Sequence, residues 1–364
     1  MAQAIANALG QPYFRGSLRD LCKSPFIYGA DILSTSIIKQ SYKKLWDVQT
    51  PLSNAVFDTE TDVIHGTGQI VMATISFKER VLTVVQKSFV AGHSDAVNRI
   101  KALANKYIGE IITKRNIELD VRVVDTEIDV IKTLMKTAHQ WSPDILSVWN
   151  LEFDMDKVID ACDRANVNIA DLLSDPSVPE EYRFFKFKKG LAKKVTASGR
   201  VMNFKPSQRW HTVFCPSGFY WMDAMSLYRQ VRQGAPEETA YSLDHILKIN
   251  GLAGKLKFKE ADHLEKLAWH KFMQSSYPLE YVVYNIYDCV GMELLDEKTH
   301  DIRLSLPMFA GCTDFQNFNS LPRKTMNDLH YFVEGHDKVP GSTASEMSND
   351  MDADTTDVSG WVDQ

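Results

Sequence analysis

The period of apolar and polar positions changes several times along the chain, and each change predicts an element. Asn54–Thr61 (NAVFDTET) and Gly68–Phe77 (GQIVMATISF) are short apolar runs parted by His65-Gly66-Thr67-Gly68, which predicts two adjacent strands joined by a turn. Arg80–Val90 (RVLTVVQKSFV) continues as a third strand. Asp95–Arg115 and Glu127–Trp141 place apolar residues three and four apart, the helical spacing. Ile145–Asn150 (ILSVWN) reads as a buried strand leading into a helix over Phe153–Val167, with Ile159 and Cys162 on one side. Further on, Gly218–Val231 predicts a strand and a helix start, Ser242–Gly251 a helix ending at Gly251, and Pro278–Leu304 a long helix. Strand, strand, strand, helix, strand, helix predicts an α/β domain with a mixed sheet flanked by helices.

Three stretches break this rhythm. Residues 1–50 mix Gly, Pro, aromatics and Lys without a clear period, and read as a short leader on the body. Arg183–His211 interleaves nine Lys and Arg with Phe184, Phe185, Phe187, Phe204 and Trp210. Within and beyond it, GRVMNF and RWHTVF flank KPSQ and predict a hairpin over Gly199–Phe214. From about Ala310 the pattern is irregular, and Lys338–Gln364 reads as a solvated, disordered tail.

With 364 residues, 44% hydrophobic and 24% charged, the chain has the balance of a soluble globular protein. No apolar run is long enough to span a membrane, and the start lacks the pattern of a signal peptide, so a cytoplasmic location is expected. Five cysteines stand singly with no C-x-x-C pair, which argues against a disulfide framework and a thiolate metal site. The net charge of -6 comes from the tail, where Gly341–Gln364 carries six acids and no Lys or Arg. Without those six, the acids equal the 41 bases. A balanced body still binds nucleic acid if its bases are clustered.

The candidate chemistry is carboxylate chemistry. Asp58 and Glu60 lie two apart on a strand, hence on one face. Asp154 stands where WNLEFD turns from strand into helix, and Tyr284 and Asp288 are one helical turn apart. Each has a plain structural reading: a solvated strand edge, a helix cap, a surface pair. Brought together, four carboxylates repel and require cations. Paired divalent ions about 4 Å apart resolve that repulsion and suit in-line attack on a phosphodiester. Oxygen donors favour Mg²⁺, with Mn²⁺ as a substitute, over zinc.

VFDTET, WNLEFD and YNIYD resemble the three exonuclease motifs of B-family DNA polymerases, members of the wider group of 3′–5′ exonucleases with four acids and a tyrosine. The likeness runs from about Phe26 to Phe332. GFYWMDAMSLYRQ, AYSLDHILKINGLAGKLKF and SLPMFAGCTDFQNFNSLPRKTMNDLHYF are similar to T-even-type phage polymerase segments. The resemblance implies a ribonuclease H-like (DnaQ-like) exonuclease domain over 51–308, a connection toward a polymerase palm over 309–337, and a tail over 338–364. Asp58, Glu60, Asp154 and Asp288 would hold two Mg²⁺ ions. Tyr284 would hydrogen-bond the attacking water or scissile phosphate, and Lys255 would stabilise charge there. Asn150, Phe153 and Thr59 would contact the 3′ end of DNA, as would Arg200, Lys205 and Arg209 of the hairpin. On the residues alone, that basic and aromatic stretch suits a single strand as well as a charged surface loop.

The palm motifs D-x-x-S-L-Y-P-S and Y-x-D-T-D-S do not occur in this sequence. The resemblance therefore implies the proofreading portion of a replicative polymerase, with palm, fingers and thumb on a second polypeptide or a missing part of the chain. A sliding clamp and other replisome proteins would be further partners. If phage-encoded, it would act in the host cytoplasm. The alternatives are a free-standing exonuclease acting on RNA or single-stranded DNA, and an inactive assembly subunit.

Overall fold

The computed structural model describes residues 2–11, 13, 15, 41, 52–196, 198–232, 234–302 and 321–338. The chain divides into two compact units, one of residues 50–306 and the other of residues 1–49 with 307–364. The larger unit is built on a six-stranded mixed sheet. Strands β1 (Asn54–Thr61), β2 (Ile70–Phe77) and β3 (Arg80–Gln86) form an antiparallel meander. β4 (Glu118–Val124) adds to β3 in parallel, while β5 (Ile145–Val148) and then β10 (Tyr220–Asp223) extend the other side in parallel.

Helices cover both faces, which explains why β2 is buried at every position. On one face lie α2 (Glu127–Trp141) and α3 (Leu151–Ala165), packed on Ala55, Phe57, Leu82 and Leu146. Phe57 meets Trp221 edge to face, with ring centroids 6.0 Å apart. On the other face lie α1 (Ala96–Arg115) and the long α8 (Pro278–Thr299), with α7 (Lys266–Ser276) beside it. The remaining helices are α4 (Ile169–Leu173), α5 (Ala224–Val231) and α6 (Leu243–Ile249).

The local signals that start and stop these helices are ordinary ones. Thr126 caps α2 by accepting from the Asp129 amide, and Ser242 caps α6 by accepting from the His245 amide. Pro278 opens α8 at a position where no amide hydrogen is needed. Gly251, at φ +68°, lets the chain leave α6 in the left-handed region.

The structure departs from the sequence reading in four places. β4 was not foreseen: it is a half-exposed edge strand that carries Glu118, Asp120 and Arg122. The hairpin over Gly199–Phe214 does not form. Instead β7 (Lys193–Val195) pairs with β8 (Val201–Asn203), and β6 (Lys186–Lys188) pairs with β9 (Thr212–Phe214), one ladder nested within the other. The KPSQ segment is a short 3-10 turn at Pro206–Gln208, between β8 and β9 rather than a hairpin tip. Asp154 lies inside the first turn of α3 and does not cap it, since Asn150 holds the cap position. The irregular reading beyond Ala310 gives way to a helix at Leu321–Glu334.

In the smaller unit, Ala2–Ala8 is also helical, within the segment read as leader without period. Most of that leader, the connection before residue 321 and the tail beyond Lys338 lie outside the described residues. Among the described residues, no helix is long and apolar enough to cross a membrane.

Candidate metal centre

The site forms where β1, α3 and α8 meet. Alternation along β1 sends Phe57 into the core beneath α2 and α3 and turns Asp58 and Glu60 toward α8. The β1–β2 register shifts between Glu60 and Thr61, where Val71 of β2 is passed over. From α8, one helical face presents Tyr281, Tyr284, Asn285 and Asp288.

Ligand oxygens of Asp58, Glu60 and Asp288 all lie within 4.8 Å of one another. Asp154 lines the same cavity of about 440 Å³, together with Asn150, Phe153, Lys255, Lys266, His270 and Tyr284. Asp154 does not share that tight cluster, because its Oδ1 accepts from both the amide (3.0 Å) and hydroxyl (2.6 Å) of Thr59. Thr59 is thereby committed to orienting a carboxylate, and its hydroxyl is already bonded to protein rather than offered to substrate.

Packing of like charges sets the electrostatics. Burial and then the charges of Asp154, Asp288 and Glu60 raise the Asp58 pKa well above the usual carboxylate range. Burial pushes Glu60 up to about 7 and Asp154 up to about 6, against the hydrogen bonds from Tyr281 and Thr59 that lower them. Asp288 is raised by burial as well, with Lys255 pulling the other way. Burial opposes the Lys255 charge, yet Asp288, Tyr284 and Asp58 together lift its pKa well above the ordinary value. Burial raises the Tyr284 phenol too, so it stays protonated near neutral pH.

Lys255 reaches the site from the loop after α6. Its ammonium bonds Asp288 Oδ2 and donates to the Tyr284 hydroxyl at 2.7 Å. Its backbone amide donates to Asp244 Oδ1 at 2.9 Å, which anchors the loop. A Cβ added at Gly254 would come within 2.4 Å of Asp244 Oδ1 and Lys248 Cε, so those side chains would have to move.

The donor set fits a divalent cation. The other Asp288 oxygen, Oδ1, is buried without a hydrogen-bond partner among the described residues. Three clustered carboxylates with upward-shifted pKa values gain most from a positive charge placed among them. Oxygen donors alone suit Mg²⁺ or Mn²⁺.

The remaining expected contacts fall in two groups. Asn150 and the exposed Phe153 line the cavity. Arg200, Lys205 and Arg209 do not line it. Lys205 is bonded to Glu237 at 2.9 Å, and the Arg209 Nε donates to the Phe204 carbonyl at 3.1 Å. Lys205 instead borders a neighbouring cavity of about 450 Å³ that also touches Asn150.

Sequence reasoning missed Asn285, whose amide donates to Asp58 Oδ2 at 2.7 Å while its oxygen accepts from Thr74 at 2.5 Å. It also missed Tyr281, His270 and Gln274. Asn285 and Tyr281 were reachable from helical spacing, three residues before Asp288 and Tyr284 respectively. No protein-family model matches the chain, and no curated protein sequence matches it either.

Proposed function

We propose that the larger unit is a divalent-metal-dependent 3′–5′ exonuclease of ribonuclease H-like fold, acting on the 3′ end of a DNA strand. The observation that carries this reading is the convergence of Asp58, Glu60 and Asp288 on one point beside Asp154 and a protonated Tyr284. The three-stranded antiparallel meander extended by parallel strands gives the fold reading its support.

Asp58, Glu60 and Asp288 would hold one ion, and Asp154, oriented by Thr59, would share a second with Asp58. When bound, such ions supply Lewis acidity toward the phosphodiester and water of lowered pKa. In the overall hydrolysis, water oxygen bonds to phosphorus, the bond to the 3′ oxygen breaks, and that oxygen takes a proton. The products are a 5′-nucleoside monophosphate and a strand shorter by one residue.

The chain's own side chains do the positioning. The protonated Tyr284 hydroxyl donates toward the attacked phosphate or orients the water, and its high pKa rules it out as a base near neutral pH. Lys255, already bonded to that hydroxyl, places positive charge where negative charge grows. Asn150 and Phe153 at the cavity wall hold the terminal nucleotides, with Phe153 offering an exposed ring for stacking. By its resemblance to B-family polymerases this unit would serve in proofreading, with the palm on a second polypeptide or on a further part of the chain.

The test is digestion of end-labelled single strands of DNA and of RNA in Mg²⁺ or EDTA. Stepwise shortening of DNA from the 3′ end that needs Mg²⁺ supports the reading. Degradation of RNA alone would move the substrate assignment to RNA, and no degradation of either would remove the enzyme reading.

A further inference from the structure

Glu60 is the one carboxylate of the clustered three whose partner comes from a residue that neither lines the cavity nor belongs to the expected motifs. That partner is Tyr281, fully buried on α8, whose hydroxyl bonds Glu60 Oε2. The same hydroxyl lies 2.7 Å from His270 Nδ1 on α7, and His270 itself lines the carboxylate cavity. The Tyr281 ring stacks on Tyr284, with centroids 5.7 Å apart and planes 9° apart. Trp269 packs on both rings, at 5.9 Å and 4.8 Å between centroids.

We infer that Tyr281 and His270 are positioning residues of the metal centre, fixing Glu60 so that Oε1 is the oxygen offered to the ion. This rests on the metal reading of Asp58, Glu60 and Asp288. A hydroxyl has one proton, and an ionised carboxylate only accepts. With a cation bound and Glu60 ionised, the Tyr281 proton points to Oε2, so the Tyr281 oxygen accepts from His270. The imidazole then carries its proton on Nδ1. The direction of every bond in the chain His270–Tyr281–Glu60 is thereby set. Among the described residues, no protein donor reaches Oε1.

The α7–α8 pairing supplies a frame for this chain. Gln274, one turn beyond His270, donates to the Thr61 carbonyl at 2.8 Å and accepts from the Val63 amide at 3.1 Å. It ties α7 to the end of β1, where the pairing with β2 shifts register. Movement of α7 would therefore be felt at Glu60 through two routes, the backbone at Thr61 and the hydroxyl of Tyr281. Hydrogen-bonded partners behind metal ligands commonly set affinity by tenfold or more.

The experiment is a Mn²⁺ titration of the intact protein, followed by calorimetry and by electron paramagnetic resonance of free Mn²⁺. Tyr281→Phe removes only the hydroxyl and is expected to weaken Mn²⁺ binding about tenfold. His270→Ala should weaken it less, and His270→Asn, which keeps a donor, should recover part of the loss. In the nuclease assay, the Tyr281→Phe defect should shrink as Mn²⁺ is raised, with KM for the strand unchanged. Wild-type Mn²⁺ affinity in a folded Tyr281→Phe overturns the proposal, as does a rate defect that metal does not relieve. If Tyr281→Phe fails to fold, wild-type affinity in His270→Ala overturns it instead. Failure of the nuclease reading is separable: a wild-type protein that binds Mn²⁺ and cleaves nothing leaves the titration decisive.

Discussion

Lys255 places its ammonium against Asp288 Oδ2, and Asp288 Oδ1 is buried without a hydrogen-bond partner among the described residues. Four buried or half-buried carboxylates line the cavity with Lys266 and Lys255, so protons or metal must supply the balance of charge around the Lys255 ammonium.

Removing that cation tests the balance. Lys255→Met should destabilise the metal-free protein by about 1.5–3 kcal/mol, the usual worth of a hydrogen bond to a charged group. Saturating Mg²⁺ should recover much of the loss, because the ion takes over the neutralising role. Thermal melts of wild type and variant in EDTA and in Mg²⁺ measure both quantities.

Thr59 offers a second handle, since its hydroxyl is bonded to Asp154 at 2.6 Å while its amide makes a parallel bond. Thr59→Val keeps the shape and the amide bond but deletes the hydroxyl. The expected loss is about 1.5–3 kcal/mol of folding stability, with slower Mg²⁺-dependent cleavage as Asp154 loosens. Urea unfolding and single-turnover digestion read the two effects.

The raised carboxylates make metal-free stability depend on pH. Burial raises Glu60 from its ordinary 4.5 to about 7 and Asp154 from 3.8 to about 6. The folded state then binds protons that the unfolded state has released. The stability these groups contribute is present below their unfolded pKa values and is lost as pH climbs toward 7. Melting temperature in EDTA should fall across that window, and Mg²⁺ should restore it above pH 7. Burial also raises Glu293 to about 7 and Asp223 to about 8, which adds to the slope. Glu60→Gln isolates the site's share: its slope should be shallower than that of wild type.

The β7–β8 hairpin exposes Lys193 and Lys194 on one strand and Val201 and Met202 on the other. If it tracks a single strand, Lys193→Ser with Lys194→Ser should weaken DNA binding without changing stability by more than about 0.5 kcal/mol. The slope of log affinity against log salt should fall by about 0.7 for each lost phosphate contact. Fluorescence anisotropy at several salt concentrations measures it.

The elements around the site were legible where burial imposes a period. β1 alternates, β2 is a continuous apolar run because both its faces are covered, and α8 begins at Pro278. Strand periodicity put Asp58 and Glu60 on one face, but their meeting with Asp288 was carried by the resemblance to the exonuclease motifs and not by local pattern. What failed has a common cause, namely that local pattern carries little information where few residues are buried. β4 hides its strand behind charged outward positions, and β6 to β9 are three residues each, too short to show alternation. The pairing of Lys193–Val195 with Val201–Asn203 is a matter of which turn closes, and KPSQ was the more conspicuous turn sequence. His270 could not be read at all, since its contact with Tyr281 depends on how α7 lies against α8.

The proposed role of Asp58 and Glu60, holding catalytic metal at the 3′ end of a DNA strand, is tested by the rate at which a 5′-labelled single strand is shortened in Mg²⁺ by wild type and by Asp58→Ala with Glu60→Ala. Wild type should release 5′-mononucleotides, and the double variant should do so at least about a thousandfold more slowly, the loss of several kcal/mol of transition-state stabilisation. A folded double variant that still shortens the strand at the wild-type rate would contradict it.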